Sequence, residues 1–240
     1  MVICSFCVCF DITTFPDLGK DGYIMKFYYN GNTYNISFGN RKLVSNKETL
    51  FFIWNLPSVI TCPFRTPLCE KYCYAKKAER AYKAVLPSRM ENLESTKSKS
   101  FVSDMIAIIE KKLSTMKQKK LVVRIHESGD FYNKAYAQKW LAIAFYFAMH
   151  DERVTFICYT KSFPYFDGVE LPGNFALRAS IWADTPSKFI QMILRNAWPI
   201  YTAVEHFSEN DSFTQCRCSD CATCGKCWDN SIPDIRCEIH

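Results

Sequence analysis

The chain has 240 residues, 48% of them hydrophobic and 22% charged, with 8 Gly and 10 Pro. That composition excludes collagen-like, mucin-like and wholly disordered classes, and the length suits one substantial core with a small appendage. The apolar runs at 50–54 and 140–149 are shorter than the roughly 18 to 20 residues that span a bilayer, so no membrane association is expected. The formal charge of +6, from 30 basic and 24 acidic residues, is a weak pointer to nucleic acid.

The start, 1–10, is apolar and Cys-rich but lacks a basic leading segment and a following cleavage site, so the expected location is the cytoplasm. Residues 22–38 read as a β-hairpin, because two apolar runs flank Asn30-Gly31, a dipeptide suited to a tight turn. A strand is predicted at 50–54, then a loop constrained by Pro57, Pro63 and Pro67. Helical patterns follow at 70–84 and 88–117, the second interrupted at 95–100; its later half places Phe101, Met105, Ile108, Ile109 and Leu113 on one face. Strands are then predicted at 121–125, 154–159, 176–181 and 200–204, with helices at 135–149 and 187–196.

Short apolar strands alternating with helices argue for βα units and a largely parallel sheet. The expected fold is α/β: a partial or complete βα (TIM-like) barrel with an N-terminal β-hairpin and a Cys-rich C-terminal tail, with an open α/β sheet as the runner-up. The division is a core at 1–204 and a metal- or cluster-binding tail at 205–240, the tail being ordered by metal rather than extending the sheet.

The 13 Cys carry most of the functional signal, since closely spaced thiols in a reducing compartment read as metal ligands before disulfides. Cys218, Cys221, Cys224 and Cys227 repeat every three residues, a pattern that favours an iron–sulfur cluster, 4Fe-4S in type, over zinc, the alternative. Cys216 is the alternative to Cys218 as fourth ligand. Cys62, Cys69 and Cys73 form a second set across a Pro-rich loop and a helix start, where Cys69 and Cys73 would share a helical face. A cluster held by three thiolates keeps one iron open to another ligand. The opposing reading is three ordinary buried thiols. Cys4, Cys7 and Cys9 read as packing, and Cys158 as core.

A possible pocket follows the strand at 121–125. Arg124 and His126 are expected on one side by alternation, with Glu127, Ser128 and Asp130 at the exit. Such polar groups are costly to bury unless paired or bound to something. The functional reading is a cofactor or substrate site made by these five residues; the structural reading is an ion pair locking the turn, with Asp130 capping the next helix. Tyr159, Lys161, Arg178, Asp184 and Glu205 stand at other predicted strand ends and are candidates for the same mouth.

Leu56-Pro57, Thr61-Cys62-Pro63, Cys73-Tyr74-Ala75, the stretch from Arg124 to Phe131 and the ending from Cys221 to Trp228 together resemble the phage "gene product 88" family, from about Phe38 to Trp228. That family in turn looks similar to the radical S-adenosylmethionine superfamily, although the gaps between Cys62, Cys69 and Cys73 are longer than those usual there. The likeness implies a reactive cluster on these three cysteines, S-adenosylmethionine or the substrate held at Arg124, Glu127 and Asp130, and a second cluster in the tail as relay or clamp. The resulting expectation is an iron–sulfur protein with redox or radical activity on an unknown small-molecule or macromolecular substrate, served by an electron donor. The competing expectations are a zinc-stabilised nucleic-acid-binding protein and a non-catalytic cluster protein.

Overall fold

The computed structural model describes residues 10–13, 23–40, 42–206, 213–218 and 220–238; Cys4, Cys7 and Cys9 lie outside them. The strands are β1 (Phe10–Thr13), β2 (Tyr23–Tyr29), β3 (Asn32–Phe38), β4 (Thr49–Trp54), β5 (Lys120–Ile125), β6 (Val154–Thr160), β7 (Phe175–Ile181), β8 (Ile200–Val204), β9 (Thr214–Gln215) and β10 (Asp234–Glu238). The helices are α1 (Pro67–Lys71), α2 (Tyr74–Ala81), α3 (Val85–Lys97), α4 (Phe101–Thr115), α5 (Lys134–His150), α6 (Ser187–Asn196) and α7 (Cys221–Cys224).

All ten strands form one sheet in the order β1-β2-β3-β4-β5-β6-β7-β8-β10-β9. β1 to β4 pair antiparallel, and β4 to β8 and then β10 and β9 pair parallel. The predicted hairpin is β2 and β3, turned by Asn30 and Gly31 at φ +48° and +77°, the left-handed pair a two-residue connection requires.

The predicted barrel is corrected to an open sheet. The parallel strands follow one another as βα units would, but the antiparallel ribbon extends one side and β10 with β9 the other, so β1 and β9 remain separate edges. The tail is corrected with it: β10 and β9 extend the sheet, β10 lying beside β8 with Ile235 opposite Tyr201. Alternation along β10, with Ile235 and Cys237 buried, is the physical reason.

The sheet is covered on both faces, as a parallel sheet must be. On one face Phe52, Trp54, Val123, Ile125, Phe156 and Leu177 pack with Phe101, Met105 and Ile108 of α4 and Trp140 and Ile143 of α5. On the other, Phe51, Ile53, Val122, Ile157 and Ala176 meet Leu43 and the tail residues Cys221, Ala222, Cys227 and Trp228, with Phe51 edge-on to Trp228 at 5.7 Å. The cysteine tail thus occupies the face that would be the lumen of a closed barrel. No helix among the described residues is long and apolar enough to cross a membrane.

Candidate functional site

Cys62, Cys69 and Cys73 all lie in the connection that leaves the carboxyl end of β4. The loop after β4 is fastened at several points. Leu56 and Ser128 exchange hydrogen bonds, Leu56 N to Ser128 O at 2.9 Å and Ser128 Oγ to Leu56 O at 2.9 Å, while Asn55 Oδ1 accepts from the backbone N–H groups of Glu127 and Ser128. Glu79 of α2 accepts from Ser58 N and Oγ at 2.8 and 2.6 Å and pairs with Arg89 at 2.7 Å. Gly129 sits at φ +80°, where an added Cβ would meet Thr61 Oγ1 at 2.6 Å and Leu56 Cβ at 2.7 Å; only glycine allows the two loops to approach this closely.

Thr66 then caps α1, accepting from Cys69 N at 3.3 Å, with Pro67 in the first turn, the arrangement that starts a helix most readily. The predicted helix at 70–84 is broken: α1 ends at Lys71, Tyr72 and Cys73 leave helical geometry, and α2 begins at Tyr74. Cys69 and Cys73 therefore do not share one helical face, and the kink replaces the periodicity that predicted it. The three half-buried thiols lie in one connection, where Cys69 and Cys73 both oppose ionisation of Cys62, and Cys73 that of Cys69. Burial is the larger cause and pushes the Cys62 thiol up to about 12.

Lys161, at the exit of β6, is the cation of this region. Its buried ammonium donates to Ser180 O at 3.0 Å and Ser180 Oγ at 3.2 Å and lies 5.8 Å from the Trp182 ring. Burial lowers its pKa, while Cys69, Asp130, Asp184 and Cys62 raise it again. Trp182 in turn stacks on Tyr72 at 5.8 Å and 8°. Asp184 accepts from Leu68 N at 2.8 Å through Oδ2, while its buried Oδ1 has no hydrogen-bond partner among the described residues.

The five residues expected to make a pocket point to different places. Arg124 stacks on Tyr159, 3.9 Å from the ring centroid, on the tail face near Cys227. His126 is turned to the opposite face, which corrects the alternation: its φ of +67° reverses the side chain into the helical core, with Nε2 2.9 Å from Tyr136 Oη and the ring edge-on to Phe131. Glu127 hydrogen-bonds Asn40 through its side chain and accepts from Tyr74 Oη through its carbonyl; burial raises its pKa, and Arg124 opposes the rise. Ser128 is spent on Leu56. Asp130 does not cap α5, whose cap is Asn133; it accepts from Thr160 Oγ1 at 2.5 Å and from the N–H groups of Lys161 and Ser162 at 2.9 and 3.1 Å, locking the end of β6 beside Cys62 and Cys69.

The tail thiols make a separate group. Cys218 Sγ is 3.0 Å from Cys224 Sγ, and Cys227 is coupled electrostatically to Cys218, Cys221 and Cys224. Burial pushes Cys221 up to about 11, and Tyr159 hydrogen-bonds the Cys227 sulfur. Asp220 caps α7 and Gly225, at φ +66°, ends it. Cys216 hydrogen-bonds Cys237 beside Tyr201, and Cys227 also opposes its ionisation. The fully buried Arg178 donates to the carbonyls of Cys227, Ile232, Lys226 and Asp229 at 2.6 to 2.9 Å, an anchoring role that its place at a strand end did not reveal.

Among the described residues, no three His, Cys, Asp or Glu side chains stand close enough to share one metal ion. A sequence feature that the Cys pattern overshadowed also emerges: Arg65, Lys71, Lys76, Lys77 and Arg80 surround one cleft beside Cys73.

Comparison with known proteins agrees with the motif reading. The "Gene 88 protein" of Mycobacterium phage L5 is 36% identical over 86 residues, covering 33% of this chain and 36% of that protein. The "Gene 88 protein" of Mycobacterium phage D29 is 35% identical over 89 residues, covering 35% of this chain and 37% of that protein. The aligned segment spans little more than a third of either curated relative. No solved structure matches the chain. Residues 34–230, from β3 through the Cys-rich segment, match the family described as Gene product 88, and the chain belongs to that family.

Proposed function

We propose that this protein is an iron–sulfur protein with two thiolate centres: a reactive one on Cys62, Cys69 and Cys73 and a second on Cys218, Cys221, Cys224 and Cys227. The reading is supported by the placing of Cys62, Cys69 and Cys73, all half-buried, in the one connection that leaves β4 at the carboxyl end of a parallel sheet, with the buried Lys161 at the neighbouring exit of β6. Ligands collect there in such sheets. The donor set suits the group: closely placed thiols that repel one another's ionisation exchange their protons for a cation. Ligands of a cluster bind different irons, so they stand farther apart than the ligands of one ion.

When bound, a cluster on three thiolates supplies an electron-transfer centre with one iron open to an outside ligand. The chain's own residues prepare that position. Lys161 offsets thiolate charge, Asp130 fixes the β6 exit that carries Lys161, and the Tyr72–Trp182 stack shields one side from water. Cys218 is the fourth tail ligand in this reading, because Cys216 is directed to Cys237. S-adenosylmethionine, implied by the sequence resemblance, is the ligand to try at the open iron.

The test is anaerobic purification with iron, sulfide and zinc analysis, then electron paramagnetic resonance of the reduced protein with and without S-adenosylmethionine. Iron and sulfide in equal amounts are expected. A colourless protein holding zinc in the tail would overturn the reading in favour of a zinc-stabilised module. A cluster signal that no small molecule alters would leave a non-catalytic cluster protein.

A further inference from the structure

The cleft beside Cys73 has a volume of about 700 Å³, within the range of roughly 300 to 1,000 Å³ that holds small ligands. Its wall comes from three segments: Arg65 and Thr66 from the loop, Pro67, Glu70 and Lys71 from α1, and Lys76, Lys77 and Arg80 from α2. A solvated helix face would place such cations along one surface. Here the break at Tyr72–Cys73 folds two helices so that their basic residues line the same hollow.

The charge is unbalanced. Glu70 lies 2.8 Å from Arg65 and 3.0 Å from Lys76, so two of the five cations share a single negative charge. Lys71 lies 5.0 Å from the Tyr72 ring, and among the described residues Lys71, Lys77 and Arg80 have no ion-pair partner. Three positive groups around one concavity repel each other, and a multiply charged anion relieves that repulsion.

We infer that this cleft is a binding site for a phosphate-bearing ligand of nucleotide size, whose phosphates contact Lys71, Lys77 and Arg80 and whose remainder reaches toward Cys73. The binding site stands on the cleft itself; only its role as the substrate site of the three-cysteine centre rests on the proposed function. The same phosphate chemistry is available from a free nucleotide and from the backbone of a nucleic-acid strand.

The experiment is calorimetric titration of the anaerobically purified full chain with ATP, tripolyphosphate, adenosine and an oligothymidylate of about a dozen nucleotides, a length within the usual site sizes for single strands. Iron content is measured on the same samples. ATP and tripolyphosphate are expected to bind and adenosine not to bind. The double variant Lys77→Glu with Arg80→Glu, at exposed positions, should weaken binding by at least about tenfold. A charge-matched variant elsewhere on the surface, Lys99→Glu with Lys117→Glu, should leave it unchanged. Tighter binding of the oligonucleotide with the same sensitivity would assign the phosphates to a strand and also support the site. Absence of binding, or binding that the two double variants change equally, would overturn it. Phosphate binding without iron would refute the proposed centre and leave the cleft assignment standing; iron without phosphate binding would do the reverse.

Discussion

His126 shows how far one backbone angle can redirect a chemical expectation. As the residue after an apolar strand, it reads as a ligand-facing group beside Arg124; at φ +67° it instead points into the core. Tyr136 Oη accepts from Trp54 Nε1 at 2.9 Å and from Trp140 Nε1 at 2.8 Å, so its own proton goes to His126 Nε2, and the imidazole hydrogen resides on the buried Nδ1, which has no partner. A charged imidazole is strongly opposed there, first by burial and then by Arg124, and its pKa falls to about 3. The unfolded chain takes up this proton near the ordinary histidine value of about 6.5, whereas the folded chain refuses it until about pH 3. The neutral ring's contribution is therefore complete above about pH 6.5 and is lost as pH falls toward 3, at up to about 1.4 kcal/mol per unit. Urea unfolding between pH 7 and 4 should show that slope, and His126→Asn should flatten it. Nuclear magnetic resonance of the wild type gives an independent check, since an imidazole that titrates near 6.5 in the folded protein would refute the assignment.

At the scale of elements, β5 to β7 were legible because parallel strands buried on both faces are nearly continuous apolar runs, and Asn30-Gly31 announced its hairpin. The break between α1 and α2 was not, since the pattern of polar and apolar residues continues across Tyr72 and Cys73; what ends the helix is backbone geometry around the cysteine loop. β10 was equally hidden, a five-residue strand in a segment whose cysteines dominated the reading. Its place beside β8 depends on contacts distant in sequence, above all Arg178. That guanidinium, 48 to 54 residues from its acceptors, is what fastens the cysteine segment to the sheet. Arg178→Met keeps much of the volume but leaves four carbonyls short of a donor, a loss of about 3 kcal/mol or more. The expected outcome is a tail that opens: limited proteolysis should cut first within 213–238 while the sheet from β4 to β7 stays protected. Uniform loss of protection would show instead that Arg178 supports the whole fold rather than the tail.

For the molecule as a whole, the sequence suggested two sets of cysteines but not how they stand relative to the sheet. The three-cysteine set lies at the carboxyl ends of the strands and the tail set against the face opposite the long helices, separated by polar residues of β5 and its exit. Arg124 lies between them, coupled to Tyr74 and Glu127 toward the first and to Cys227 toward the second. The first set comes from the connection after β4 and the second from the segment packed on the tail face. The two proposed centres, placed in this way, should load independently, because each ligand set is completed by its own local segment. Cys69→Ala is thus expected to remove the metal of the loop and retain that of the tail, and Cys224→Ala to do the opposite, with the double variant losing both. Iron per chain and the reduced spectra measure this directly: the spectra of the two single variants should sum to that of the wild type. If either substitution alone empties the protein while its sheet remains folded, the two sets are one centre, and the separation seen across β5 would have to close when metal binds.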